Sequence, residues 1–330
     1  MADEFIDLDA QAREERGPTL CQKIGGWLPS ASFTAYVVLS ALAATVAVYH
    51  AFDTRQYLYD ALVYLSTSKV NLTIMANLFV AVVLSLVLAV TTLTVGTVEP
   101  DERERVWSAA QFAVVDLAFN LTVFREEVTV WMLLRLILLL AAKYFHELFD
   151  ARMDNLERHG MAGPLRHVRF LAGLALFAVA DVAAAASYAQ TVADSEPSVA
   201  IMFAFEHASL ALSACLVAYR YLLWSVEQRM AQEWRAKSTY FAWGSLAVNV
   251  LKLAINLVYL FVIYRAFGMP LIMVREVIRS GKAVVREFSA ITAALRLRHL
   301  ISQRFHVLSV EDVAAIEDKT SHPSQRQGSP

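Results

Sequence analysis

The sequence predicts an all-α fold, a polytopic transmembrane helix bundle of about eight helices, the last long and amphipathic. Three observations carry this reading. Hydrophobic residues make up 57% of the 330 residues and charged residues 18%, against ~25% charged in soluble domains, and mean hydropathy is +0.46. Apolar runs recur along the chain at or near the ~20 residues needed to cross ~30 Å of hydrocarbon. Lys and Arg concentrate in alternate loops, as they do when one set of loops stays in the cytosol.

Residues 1–30 form an acidic tail (Asp3, Glu4, Asp7, Asp9), punctuated at its end by Gly25, Gly26 and Pro29. Its length and charge argue against a cleaved signal peptide, so the first span is expected to be an uncleaved anchor. The first apolar segment is 33–50. Residues 51–70 read as a loop whose apolar piece, 57–65, is too short to cross and suits the membrane interface. The second segment, 72–95, is closed by Gly96 and Pro100, and 101–105 reads as an acidic-basic loop. The third, 106–124, carries Asp116 and Asn120.

The fourth segment organises the rest. Residues 128–158 begin as a leucine-rich run and would make a rod of roughly 45 Å, longer than the hydrocarbon core. Lys143, His146, Asp150, Asp154 and Arg158 follow at steps of three and four, placing them on one helix stripe. Glu147 is placed to pair with Lys143, in the weaker Lys-first orientation. The helix therefore leaves the membrane at its C-terminal end and brings charge part-way into the bilayer. Residues 152–169 form a basic loop broken by Gly160, Gly163 and Pro164.

The fifth segment, 170–190, has Asp181 at its middle, and the sixth, 199–224, holds Glu206 and His207. The loop between them, 193–198, has no Lys or Arg. After polar residues 225–237, the seventh segment, 240–264, contains Asn249, Lys252 and Asn256. Pro270 opens the last helix, at a position where a missing N–H costs nothing. There Val277, Val284, Phe288, Ile291 and Leu295 line one side while Arg275, Arg279, Lys282 and Arg286 decorate much of the rest. This helix suits the membrane surface or a crossing made against other helices. The tail from Ser309 has a disordered composition. The domain division is thus a cytosolic tail over 1–30, a membrane domain over 31–300 and a cytosolic tail over 301–330. Both termini are expected in the cytosol.

Ionisable groups inside spans carry the functional signal, because each costs ~2.5–3.5 kcal/mol at a helix centre. They are Asp116, Arg135, Lys143, His146, Asp181, Glu206 and Lys252. Lys143, His146, Asp150, Asp181, Glu206, Asn249 and Lys252 are the candidates to line a polar groove or to lock helices together. Lys143 and His146 favour a cavity because they continue into the charged stripe. Arg135 can snorkel toward the interface. A Lys252 pairing with Glu206 or with Asp181 is an equally good bundle lock. Trp131 and Trp243 read as interfacial belt residues. The basic face of the last helix reads as a contact with membrane lipids.

Other classes are excluded. A net charge of −2 does not suggest nucleic acid. Two cysteines, Cys21 and Cys215, cannot build a disulfide framework or a zinc site. No catalytic residues, cofactor site or metal site stand out, with no Walker loop, GxSxG or HExxH. The glycosylation triplets at Asn71 and Asn120 are discounted, one bordering a span and one inside it. No internal repeat is visible.

Several of these residues stand in phrases that resemble the synoviolin family, the HRD-type membrane E3 ubiquitin ligases of endoplasmic-reticulum-associated degradation. They are Phe124-Arg125-Glu126-Glu127, Lys143-Tyr-Phe-His146 and Asp154-Asn-Leu-Glu157-Arg158. Asp181, Phe203-Ala-Phe-Glu206, Lys252, Met269-Pro270-Leu271, Arg275 and the segment 296–318 extend the match to roughly 36–318. The resemblance implies eight membrane helices in the endoplasmic reticulum membrane and a retrotranslocation groove for misfolded proteins. It also implies a lateral gate between the second and seventh helices. Implied partners are a luminal Sel1-repeat adaptor, Derlin proteins, misfolded substrates, a ubiquitin-conjugating enzyme and a second copy. Family members continue into a zinc-binding RING finger, the one place zinc is expected. No cysteine follows Cys215 here, so these 330 residues are expected to lack ubiquitin transfer by themselves. A small-solute transporter or channel, and a purely structural membrane scaffold, are the alternatives. Against the transporter stands the lack of an inverted repeat.

Overall fold

The computed structural model describes residues 31–55, 57–160, 163–194, 198–230, 236–267 and 271–304. The expectations for tails 1–30 and 305–330, for the middle of the 193–198 loop and for Met269 and Pro270 lie outside these residues. The described residues form nine α-helices and one 3-10 turn, with no strand. In chain order the helices are α1 (Ala31–Thr54), α2 (Leu58–Thr67), α3 (Lys69–Thr94), α4 (Pro100–Val123), α5 (Val130–His159), α6 (Pro164–Asp194), α7 (Ala200–Glu227), α8 (Lys237–Phe267) and α9 (Leu271–Arg304). The eight long helices are those read from the sequence.

Most of the expected loop 152–169 is helical, since α5 runs on to His159 and α6 begins at Pro164, and two other expected loops are helical as well. Residues 101–105 form the first turn of α4. Pro100 takes the first helical position, and Glu99 and Glu102 make a reciprocal capping box, the Glu99 amide donating to Glu102 Oε2 at 3.0 Å. Most of 51–70 is helix as well: α1 runs on to Thr54 and α2 fills 58–67. The apolar residues of α2 recur at helical spacing around a fully buried Ala61, which seats it between α1 and α3. At the other boundaries, Thr129 caps α5 by accepting the Met132 amide at 3.2 Å. Gly160, at φ 72°, ends it in a conformation that other residues adopt rarely.

Side chains near helix ends show which ends share a face. Arg169 at the start of α6 donates to the Thr92 and Leu93 carbonyls at the end of α3. Tyr219 near the end of α7 donates to the Tyr240 carbonyl at the start of α8, 2.9 Å away. Arg105 at the start of α4 reaches Asp154 late in α5. The ends of α3, α5 and α7 thus meet the starts of α4, α6 and α8 on one face, called the charged face below. On the opposite face the Val199 amide, just before α7, donates to Glu127 Oε2 at 2.9 Å.

The helices α5, α6 and α7 form the centre. The α6–α7 pairing is the most extensive, with α8 on α7, α4 on α5, and α1 to α3 joined to the centre through α3 on α6. Extended packing of α9 is with α8. One apolar cluster fills the half toward the opposite face, with Phe124, Leu139, Met202, Phe203 and Ile263. A second fills the half toward the charged face, with Phe145, Leu148, Phe149, Phe170 and Val217. The outer sides are apolar too: Leu86 of α3 is 63% exposed and Trp131 of α5 is 74% exposed. Such a surface is the mark of a membrane-facing wall. Among the described residues, five helices are long and apolar enough to cross a membrane: α1, α3, α6, α7 and α8. The three other long helices, α4, α5 and α9, carry the charges.

Close approach of α7 and α8 depends on Gly244. A Cβ there would stand 2.3 Å from Tyr219 Cε1. Gly244→Ala is expected to push the Tyr219 ring aside, break its bond to the Tyr240 carbonyl and cost about 1–3 kcal/mol. Thermal unfolding in detergent, beside a Gly281→Ala control where a Cβ meets open space, reads the difference.

Candidate functional site

The charged stripe of α5 is answered from the neighbouring helices. Arg105 of α4 bonds Glu147 at 2.8 Å and also Asp150 and Asp154. Arg220 of α7 reaches Asp150 at 3.3 Å, Asp154 at 2.5 Å and Glu157 at 2.6 Å. Lys237 of α8 lies 3.8 Å from Glu157 and 2.7 Å from Glu227. Arg152 of α5 meets Glu102 of α4 at 2.9 Å. Four helices are thus tied at the charged face. Arg220 is only 12% exposed, so its three carboxylates matter more than those of exposed pairs. Arg158, the last residue of the stripe, is exposed.

The expected pairing along α5 is replaced by pairing across helices. Glu147 takes Arg105, and Lys143 takes Glu206 of α7 at 2.8 Å, both side chains 20% exposed. A Lys-first pair along one helix gains only ~0.2–0.5 kcal/mol. An interhelix pair in a half-dry setting gains more. The expected Lys252 pairings are replaced too: Lys252 Nζ donates to Ser213 Oγ at 2.7 Å, while Asp181 is held by two histidines.

Asp181 of α6 is 2% exposed. His146 Nε2 of α5 contacts its Oδ2, and His207 Nδ1 of α7 lies 2.7 Å from its Oδ1. A carboxylate only accepts, so each facing ring nitrogen donates. Both lone-pair edges of a buried anion are satisfied, and the three central helices are joined at one point. His207 stacks on Tyr188, with ring centroids 6.0 Å apart.

Between α4, α5, α7, α8 and α9 lies a cavity of about 540 Å3. Lys143, His146, Asp150, Glu206 and Lys252, five of the seven candidates, line it. Asp181 sits behind the wall and orients His146. Asn249 lies outside the lining, on the seam between α8 and α9, where it and Ser245 donate to Glu287 Oε1 at 2.6 and 2.8 Å. Asp116 of α4 holds Arg275 and, at 3.4 Å, Arg279 of α9 across the cavity's side. Arg135 lies over the Tyr188 ring at 5.9 Å. Arg105, Arg220 and Glu287 are among the partners not singled out from sequence. Arg220 carries the same signal as the candidates, a charge inside an apolar run; Arg105 and Glu287 sit in polar surroundings and carry none. Among the described residues no three His, Cys, Asp or Glu side chains converge as metal ligands do.

A family model described as E3 ubiquitin-protein ligase synoviolin-like, TPR repeats, matches residues 32–317. The ERAD-associated E3 ubiquitin-protein ligase hrd1 of Schizosaccharomyces pombe is 24% identical over 211 residues, 63% of this chain and 31% of the relative. The chain spans about a third of that relative's length.

Asp181→Ala is expected to strand two buried ring nitrogens and destabilise the bundle by about 2–4 kcal/mol. Thermal melting in detergent measures this. A shift no larger than that of an exposed control such as Arg158→Ala would show that the triad does not lock the helices.

Proposed function

The chain belongs to the synoviolin-like E3 ubiquitin-protein ligase family, an ERAD-related family, and from that premise we propose that its bundle is the membrane domain of such a ligase. Its role is to carry misfolded proteins through a polar groove in the endoplasmic reticulum membrane. The observation that carries this reading is the cavity of about 540 Å3 walled by five helices. Its charges are paired across helices, as in Lys143 with Glu206, so the wall is polar without being strongly one sign. A polypeptide segment of either charge could lie against it.

The arrangement supports eight crossings. α4, α5 and α9 are less apolar because they carry charge, and several of those charges, among them Asp116, Lys143 and Arg279, turn toward the cavity. With both termini in the cytosol, the charged face is the cytosolic one, in keeping with Arg152, Arg166, Arg169 and Lys237. The apolar cluster around Phe124, Met202 and Phe203 then seals the luminal half. The seam expected between the second and seventh helices shifts in this reading. α8 lines the cavity but α3 does not; α4 and α9 bound its side and meet through Asp116 rather than through extended packing. The Sel1-repeat adaptor, Derlin proteins, a second copy and a ubiquitin-conjugating enzyme recruited through a RING remain the partners this reading proposes.

Photocrosslinking from the full chain in microsomes tests the groove. A crosslinker at Ser209, in the cavity wall, is expected to capture a misfolded luminal protein, whereas one at the outward-facing Leu86 is not. Lys143→Glu is expected to slow that protein's degradation severalfold, and adding Glu206→Lys to restore it by rebuilding the pair in reverse. Equal capture from both positions, or no effect of Lys143→Glu, would rule the groove out.

A further inference from the structure

The basic stripe of α9 is not accounted for by a groove with balanced charge. Arg275, Arg279, Lys282 and Arg286 follow at steps of four, three and four, so they share one helix face. Asp116 of α4 holds Arg275 and Arg279, and Glu276 lies 3.1 Å from Arg279. The side chains of Lys282 and Arg286 are exposed and have no ion-pair or hydrogen-bond partner among the described residues. Four cations therefore meet two carboxylates.

Their depth follows from the pairing of α9 with α8. Asn256 bonds Ser280, and Asn249 and Ser245 bond Glu287, so the two helices run antiparallel in close register. The apolar span of α8 is Lys237–Arg265, and its residues 245–256 are the middle of it. Lys282 and Arg286 lie alongside, at hydrocarbon depth, where an unanswered charge is strongly disfavoured. The wall of α4 offers Ala109, Ala110, Phe112 and Ala113 before Asp116, three of them small and none an anion. Among the described residues no carboxylate answers them. A membrane phospholipid supplies an anion while its acyl tails stay in the bilayer beside the cleft, which extended α4–α9 packing does not close.

We infer that the cleft between α4 and α9 admits phospholipid headgroups to the middle of the membrane. Lys282 and Arg286 hold the phosphate there, and Arg279 and Arg275 take it further when Asp116 releases them. A headgroup halfway across can leave toward either leaflet, so the protein exchanges phospholipids between leaflets. This rests on α9 crossing beside α8 and not on any protein substrate, so capture at Ser209 and lipid exchange can fail independently.

The test uses the purified full chain in phosphatidylcholine vesicles with a trace of phospholipid carrying a fluorophore on its headgroup. Dithionite, which does not cross the membrane, bleaches the outer leaflet alone unless lipid exchanges. The expected result is near-complete bleaching with the protein, while an enclosed soluble dye stays unbleached. The Lys282→Glu, Arg286→Glu double variant is expected to slow the exchange phase at least about tenfold, given the attraction of each basic residue for phosphate headgroups. Lys282→Gln with Arg286→Gln should slow it less, and Asp116→Asn should speed it by freeing both arginines. Circular dichroism verifies that each variant keeps its helices. Bleaching that stops at the outer leaflet with the unaltered protein overturns the inference. So does a rate unchanged in both double variants, which would assign the stripe to an acidic protein segment or to water.

Discussion

A charge placed inside an apolar bundle must be answered by another helix, and this requirement shapes most of the structure. α5 carries the heaviest load. Its stripe draws Arg105 from α4, Arg220 from α7 and Lys237 through Glu157 from α8. One turn deeper, Lys143 takes Glu206, and His146 takes Asp181. The partners come from four helices, α4, α6, α7 and α8, so satisfying the stripe fixes which helices surround α5. Apolar packing alone would leave the choice nearly free, because one leucine-rich face resembles another and lipid tails are as apolar as either.

The cavity exists because these polar contacts hold five helices at a distance that side chains do not fill. Above and below it the bundle is packed with large residues, Phe145 and Phe149 on one side and Met202 and Phe203 on the other. At its own level the wall mixes ion pairs and small residues with aromatics such as Phe205 and Tyr259. α9 is attached differently from the rest, through polar bonds to α8 and a carboxylate clasp to α4. Half-exposed clasps of this kind contribute little to stability, so the link from α9 to α4 is weak beside the packing of α9 on α8. Substrate conduction and lipid exchange would both use this weak link.

Much was legible in the chain itself. Hydropathy and punctuation by Gly and Pro located the eight long helices to within a few residues, because helix formation in an apolar medium depends on local sequence and length. The same reasoning identified Lys143, His146, Asp181, Glu206 and Lys252, since a charge in an apolar run is conspicuous by its cost. The short helix α2 and the first turn of α4 read as loops. The first is too brief for a hydropathy signal, and the second is stabilised by a capping box whose polar residues resemble a linker.

Partnership was not legible. Sequence offered Glu147 for Lys143, and Glu206 or Asp181 for Lys252. The folded chain pairs Glu147 with Arg105, 42 residues away, and gives Asp181 to two histidines on two other helices. Residue type and helical phase determine that a group must find a partner and on which side of its helix it will look. Which partner it meets depends on the rotation and depth of the neighbouring helices. Those are set jointly by all the contacts in the bundle, so only the tertiary structure decided them.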